Sequence, residues 1–223
     1  MSPLPNKSYP KVSSSIIILD CCQSGNIATG KAFQGLSKRV SVIGDGVTIM
    51  TACRDDQAAQ EKNGQGTFTG ILLDGLDGAA SDILGRITPA SLYAYVDQSL
   101  GEWEQRPVYK ANVQQFITVR TVPPKITKEI LRKLPEYFPT PAHHFKLNPT
   151  YEKDRGEETD RLKHIVYDEN KFKIFRQLQK LCNHGLVKPT EHDHMWHSAV
   201  FSGGCKLTST GAHYRYLAEK GKI

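Results

Sequence analysis

The sequence predicts an α/β fold, a mainly parallel sheet flanked by helices, followed by a small α+β domain. Three observations carry that expectation. The runs "SSSIIILD" and "VTIMTAC" are continuously apolar, of strand length, and end in a polar residue or a cysteine. Such runs suit strands buried on both faces of a parallel sheet. Helical spacing follows in "GTFTGILLDGLDGAA" and "ITPASLYAYVDQSLGEW", which gives αβ alternation. Nearer the C-terminus the pattern changes to helix, short strand, hairpin and helix.

Taken in order, Ile16–Leu19 is a wholly aliphatic run and reads as a central strand. The Gly- and Ser-rich stretch before Val47 reads as loop with little helix. Val47–Cys53 is the second strand. In the next segment Phe68, Ile71, Leu72 and Leu76 share a helical face. Thr88 and Pro89 are an N-cap and a first-turn proline, and Leu92, Tyr95, Val96 and Leu100 form the stripe of the helix they open. "RPVYKANVQQFITV" reads as one more strand. Residues 1–122 form the first domain, and the proline- and charge-rich residues 123–160 read as a linker with one short helix near Ile126–Leu134.

Residues 161–223 form the second domain. An amphipathic helix carries Phe172, Phe175, Leu178 and Cys182 on one side, with Ile174 and Leu181 alongside, and stops at His184-Gly185. "HMWHSAVFSGGCKL" reads as a hairpin turning near Gly203-Gly204. Thr208 or Ser209 caps a closing helix.

Composition narrows the class. The 223 residues suit one large or two small domains. No apolar run approaches the about 18 residues of a membrane span, and the N-terminus lacks a signal-peptide pattern. The five cysteines are odd in number and Cys21 and Cys22 are adjacent, so reduced thiols and a cytoplasmic setting are expected rather than a disulfide framework. The +6 net charge lies entirely in residues 123–223, while residues 1–122 balance 11 basic against 11 acidic groups. That leaves room for an acidic partner at the second domain.

A cysteine at the carboxyl end of a central strand, before Ser-Gly, is exposed and surrounded by freed backbone N–H groups. Those are the conditions for a nucleophile and for holding an oxyanion. The competing reading makes Cys21 and Cys22 inert packing residues.

"DCCQSG" resembles the nucleophile motif of the caspase/metacaspase clan, in particular the bacterial orthocaspases. Cys22 falls at the nucleophile position, Cys21 at a variable one, and Gln23 replaces a common His. "TACRDDQAAQE" is similar to the small-subunit motif of metacaspases at Cys53, Asp55 and Gln57. "GTFTGILLDGL", "GRITPASLYAYV" and "QRPVYKANVQQFITV" resemble the helices and last strand that follow, so the likeness spans about residues 12–122. It implies a partial caspase-like domain and a cysteine endopeptidase. Cys22 is then the attacking thiolate and its backbone N–H an oxyanion donor. Asp20 lines the S1 pocket and selects Arg or Lys, with Asp55 or Asp56 assisting. The alternative for Asp20 is capping of a backbone turn. The residues themselves call for no cofactor or metal; calcium use occurs in metacaspases, and no such site is placed here.

The family's catalytic His precedes the Cys by about 50 residues, in a His-Gly pair. Here the first histidine is His143. Four readings follow: a fragment of a longer peptidase, half of a split enzyme whose partner brings the His, a non-catalytic remnant serving interaction or DNA binding, or a swing of His143 or His144 back to Cys22.

His184, His192, His194, His197 and His213 lie close together in sequence with Cys182 and Cys205. Their spacing fits no common zinc site, so a solvated or partly packed hairpin is expected. "LQKLCNHGLVKP" and "CKLTSTGAHYRYL" resemble winged-helix endings of bacterial regulators. That implies a protein or DNA partner, with Lys171, Lys173, Arg176 and Lys180 as the candidate recognition face.

Overall fold

The computed structural model describes residues 14–20, 45–52, 61–62, 65–100 and 106–223. The chain forms two compact units, Met1–Pro123 and Pro124–Ile223.

In the first unit, β1 (Ser15–Leu19) pairs in parallel with β2 (Val47–Thr51), from Ser15↔Val47 to Leu19↔Thr51. Two short strands follow, β3 (Glu61–Lys62) and β4 (Gln65–Gly66). The next elements are helix α1 (Thr67–Asp74), a π-helical turn at Gly75–Ala79, strand β5 (Arg86–Ile87), helix α2 (Pro89–Ser99), and strands β6 (Val108–Asn112) and β7 (Arg120–Thr121). β6 runs antiparallel to the other side of β2, giving the order β1-β2-β6.

Two expectations are corrected here. The described sheet is mixed, with one parallel and one antiparallel pair, because an apolar run records burial and not strand direction. β2 is its centre, buried from Thr48 to Thr51, whereas β1 stands at the edge of the described sheet. Ile17 and Ile18, which point to opposite faces, are 41% and 39% exposed.

The core is formed by Met50, Ala52, Phe68, Leu72, Ile87, Leu92, Val96 and Leu100, with Ile71, Leu76 and Tyr95 packed against it. Both expected helical stripes therefore face inward. Helix α2 starts as its sequence requires. Ser91 donates its backbone N–H to Thr88 Oγ1, and Thr88 donates its own to Ser91 Oγ, each at 3.0 Å.

The second unit opens with helices α3 (Lys128–Arg132) and α4 (Leu134–Tyr137) and strand β8 (His144–Lys146). After two 3₁₀ turns come helix α5 (Thr159–Leu162), helix α6 (Glu169–Asn183), strand β9 (Val187–Pro189), helix α7 (Met195–Val200), strand β10 (Gly204–Leu207) and helix α8 (Ser209–Glu219). β10 is central and antiparallel to both neighbours, in the order β8-β10-β9.

Residues 124–160, expected as a linker, belong to this unit. Ile126, Leu131, Leu134, Tyr137, Phe138 and Leu147 are all buried. Pro135 and Pro149 occupy first-turn positions, where no N–H is needed, so they start helical turns instead of breaking them. The expected hairpin is a second correction. Met195, Ser198 and Ala199 recur at helical spacing and are buried in α7, and Gly204 begins β10. The two predicted helices hold. Asp168 caps α6 by accepting from Asn170 and Lys171, and Thr208 caps α8 by accepting from Gly211. In α6 the buried stripe is Phe175, Leu178 and Leu181, with Cys182 at its half-buried margin.

Candidate functional site

The parallel β1/β2 pair ends on one edge. Leu19 and Thr51 are register partners, and Ala52 donates its backbone N–H to the Leu19 carbonyl at 2.9 Å. The chain therefore leaves both strands side by side, at Asp20 and at Ala52. The carboxyl ends of parallel strands are where open α/β sheets present their functional groups.

Asp20 is exposed there, and it holds the start of α1. Its Oδ2 accepts from Thr69 Oγ1 at 2.5 Å and from the Thr69 backbone N–H at 3.3 Å. Gly66 is the N-cap of α1 and offers no side chain, and the first turn of the helix carries no acid. Asp20 fills both roles from another strand: it accepts an otherwise free N–H and places negative charge at the positive end of the helix. A Cβ on Gly66 would lie 2.1 Å from Asp20 Oδ2, so only glycine leaves room for this carboxylate. Asp20 Oδ1 has no hydrogen-bond donor among the described residues. One oxygen is thus anchored by Thr69.

Cys22, with its backbone N–H, and Asp55 and Asp56 lie outside the described residues, as do Cys21 and Cys53. Asp20 is therefore the one residue of the expected Cys22 site whose contacts are described. Its partner Thr69 was not anticipated. The sequence signal was faint: a helix starting after a glycine, with no capping side chain of its own.

The described cysteines belong to the second unit. Both are free thiols. Burial pushes the Cys205 thiol up to about 12, reinforced by Cys182 and Glu191, and burial also raises Cys182. Neither has the lowered pKa of a nucleophile. His143 packs edge-on against Phe138 within the same unit. Among the described residues no group of three His, Cys, Asp or Glu side chains is arranged to hold a metal ion. His192, His194 and His197 instead pack ring to ring, with His197 also facing Trp196 and Phe201.

The basic face of α6 is unevenly engaged. Lys171 donates to Thr150 Oγ1 at 3.2 Å and lies over the Tyr151 ring, and Lys173 pairs with Glu169 at 3.9 Å. Arg176 and Lys180 are exposed and meet no carboxylate among the described residues.

Against known proteins, the chain matches no family model, no curated protein and no solved structure. Among the described residues no helix is long and apolar enough to cross a membrane.

Proposed function

We propose that this chain is the nucleophile-bearing part of a cysteine endopeptidase of the caspase-like type that cleaves after Arg or Lys. The observation that carries this reading is the shared carboxyl edge of β1 and β2. Asp20 stands exposed on it, two residues before Cys22, and its Oδ1 meets no donor among the described residues. An exposed carboxylate held by one oxygen is suited to receive a guanidinium or ammonium group.

In this reaction the Cys22 thiolate attacks the carbonyl carbon after the basic residue, and its own backbone N–H donates to the resulting oxyanion. A histidine base takes the thiol proton and returns it to the leaving amine. Water then hydrolyses the thioester and frees the thiol. Asp55 and Asp56 supplement Asp20 in selecting the basic side chain.

The second unit is read as a winged-helix-like module that binds a protein. Its mixed helix-and-sheet order is compatible with this: helices α3 and α4, β8, helices α5 and α6, β9, helix α7, β10 and helix α8, with β10 between β8 and β9.

The competing reading is a non-catalytic scaffold. It is favoured by the capping bond that gives Asp20 a structural role. Turnover of short peptides ending in Arg, Lys or Glu, compared between the native protein and Cys22→Ala, separates the two. Cleavage confined to Arg and Lys and lost in Cys22→Ala supports the peptidase; equal turnover in both proteins rejects it.

A further inference from the structure

The second unit contains an open groove of about 790 Å³ that the proposed peptidase chemistry does not use. That volume lies within the range of ligand-binding clefts. One wall is the C-terminal half of α6, where Arg176, Lys180 and His184 recur every four residues and so share a face. The other wall is the start of α7, with His194, Met195 and Trp196, and Ile130 of α3 also lines it. Trp196 is fixed by its indole N–H, which donates to the Asp154 carbonyl at 2.8 Å.

The charges at this groove are unbalanced. Arg176 donates to Gln179 Oε1, and neither Arg176 nor Lys180 pairs with an acid among the described residues. Asp193 is the single carboxylate in the lining. The surface thus combines half-buried Ile130 and Trp196 with cations beside them that meet no acid among the described residues.

Shape decides between acidic partners. A helix that reads duplex DNA must project into a groove about 12 Å wide. Here the cationic row of α6 faces a concavity, with the start of α7 on its other side. A concavity with exposed cations on one wall and half-buried apolar side chains on the other suits an extended chain with acidic and apolar side chains, laid along the groove, better than a rigid duplex. We propose that this groove binds an acidic, apolar-studded peptide segment of a partner protein. The proposal is independent of whether Cys22 acts as a nucleophile.

The test is fluorescence anisotropy with the full chain and three labelled probes: a Glu/Asp-rich peptide containing Leu and Phe, its Lys-rich counterpart, and a 20-base-pair duplex. The acidic peptide is expected to bind saturably. Arg176→Glu/Lys180→Glu should weaken it at least tenfold, Arg176→Gln/Lys180→Gln less, and Lys188→Glu, exposed on β9 outside the groove, should leave it unchanged. Circular dichroism confirms that each variant is folded, and the Gln pair serves if the Glu pair is not. No binding of the acidic peptide overturns the proposal. So does equal binding by the charge-altered variants, or tighter binding of the duplex with the same sensitivity to Arg176 and Lys180.

Discussion

Asp20 and Thr69 are 49 residues apart in sequence, yet the Asp20 carboxylate accepts both the hydroxyl and the backbone N–H of Thr69. This contact fastens the carboxyl end of β1 to the start of α1. It places a structural duty and the proposed specificity duty on one side chain, and substitutions at position 20 can separate them. Asp20→Asn keeps an oxygen able to cap Thr69 but loses the charge. Asp20→Ala loses both. Asp20→Ala is expected to destabilise the chain by about 1 kcal/mol and Asp20→Asn by clearly less in denaturant unfolding, while both abolish preference for Arg and Lys substrates. Unchanged preference in Asp20→Asn removes the specificity role.

The space above Gly66 is reserved for that carboxylate. Gly66→Ala pushes Asp20 Oδ2 away from Thr69 and should cost about 1 kcal/mol in the wild-type background. In the Asp20→Ala background the same substitution should be close to neutral. The coupling between the two sites, read from a double-mutant cycle, measures the contact directly; strict additivity contradicts it.

In the second unit, buried Arg215 ties α8 to the end of α4. Its Nε donates to the Phe138 carbonyl at 2.5 Å, one terminal nitrogen donates to the Pro139 carbonyl, and the other pairs with Glu219 at 3.2 Å. Arg215→Ala leaves the Phe138 carbonyl without this donor and should cost about 2–4 kcal/mol. Gly211→Ala is expected to be at least as damaging, because a Cβ there would lie 1.9 Å from the Leu186 carbonyl oxygen. Urea melts of the two variants provide the check.

Burial of Cys205 has a pH signature. Its thiol is raised from 9.0 to about 12, so between those values the folded chain keeps a proton that the unfolded chain has released. Stability conferred by this group is complete below about pH 9 and falls as pH rises toward 12. Tyr137, raised from 10.0 to about 12 by burial and by Glu136, acts in the same direction. Unfolding free energies measured from pH 8 to 11 should decline, and less steeply in Cys205→Ala. At pH 8 iodoacetamide should leave Cys205 unmodified until the chain is denatured.

Elements whose signals are local were legible in the sequence. Thr88, Pro89 and Ser91 suffice to start α2, and Asp168 and Thr208 start α6 and α8. Where several local patterns were compatible, the tertiary structure decided. The prolines of residues 124–160 suggested a linker, but the apolar residues between them are buried. The hairpin expected from "HMWHSAV" is a helix instead, because Met195, Ser198 and Ala199 bury one helical face. The antiparallel placement of β6 and the exposure of Ile17 and Ile18 depend on neighbours that a single strand does not encode. The Asp20–Thr69 contact joins residues 49 positions apart, and neither residue's own surroundings announced it.

The proposal that Cys22 attacks beside an acidic specificity anchor is tested most directly by covalent labelling of the natively produced protein. Two peptidyl acyloxymethyl ketones, one ending in Arg and one in Glu, are compared, with the adduct located by mass spectrometry. The expected result is an Arg-probe adduct on Cys22, absent from Cys22→Ala and strongly reduced in Asp20→Asn. Equal labelling by the Arg and Glu probes, or an adduct distributed evenly over Cys21, Cys22 and Cys53, would contradict it.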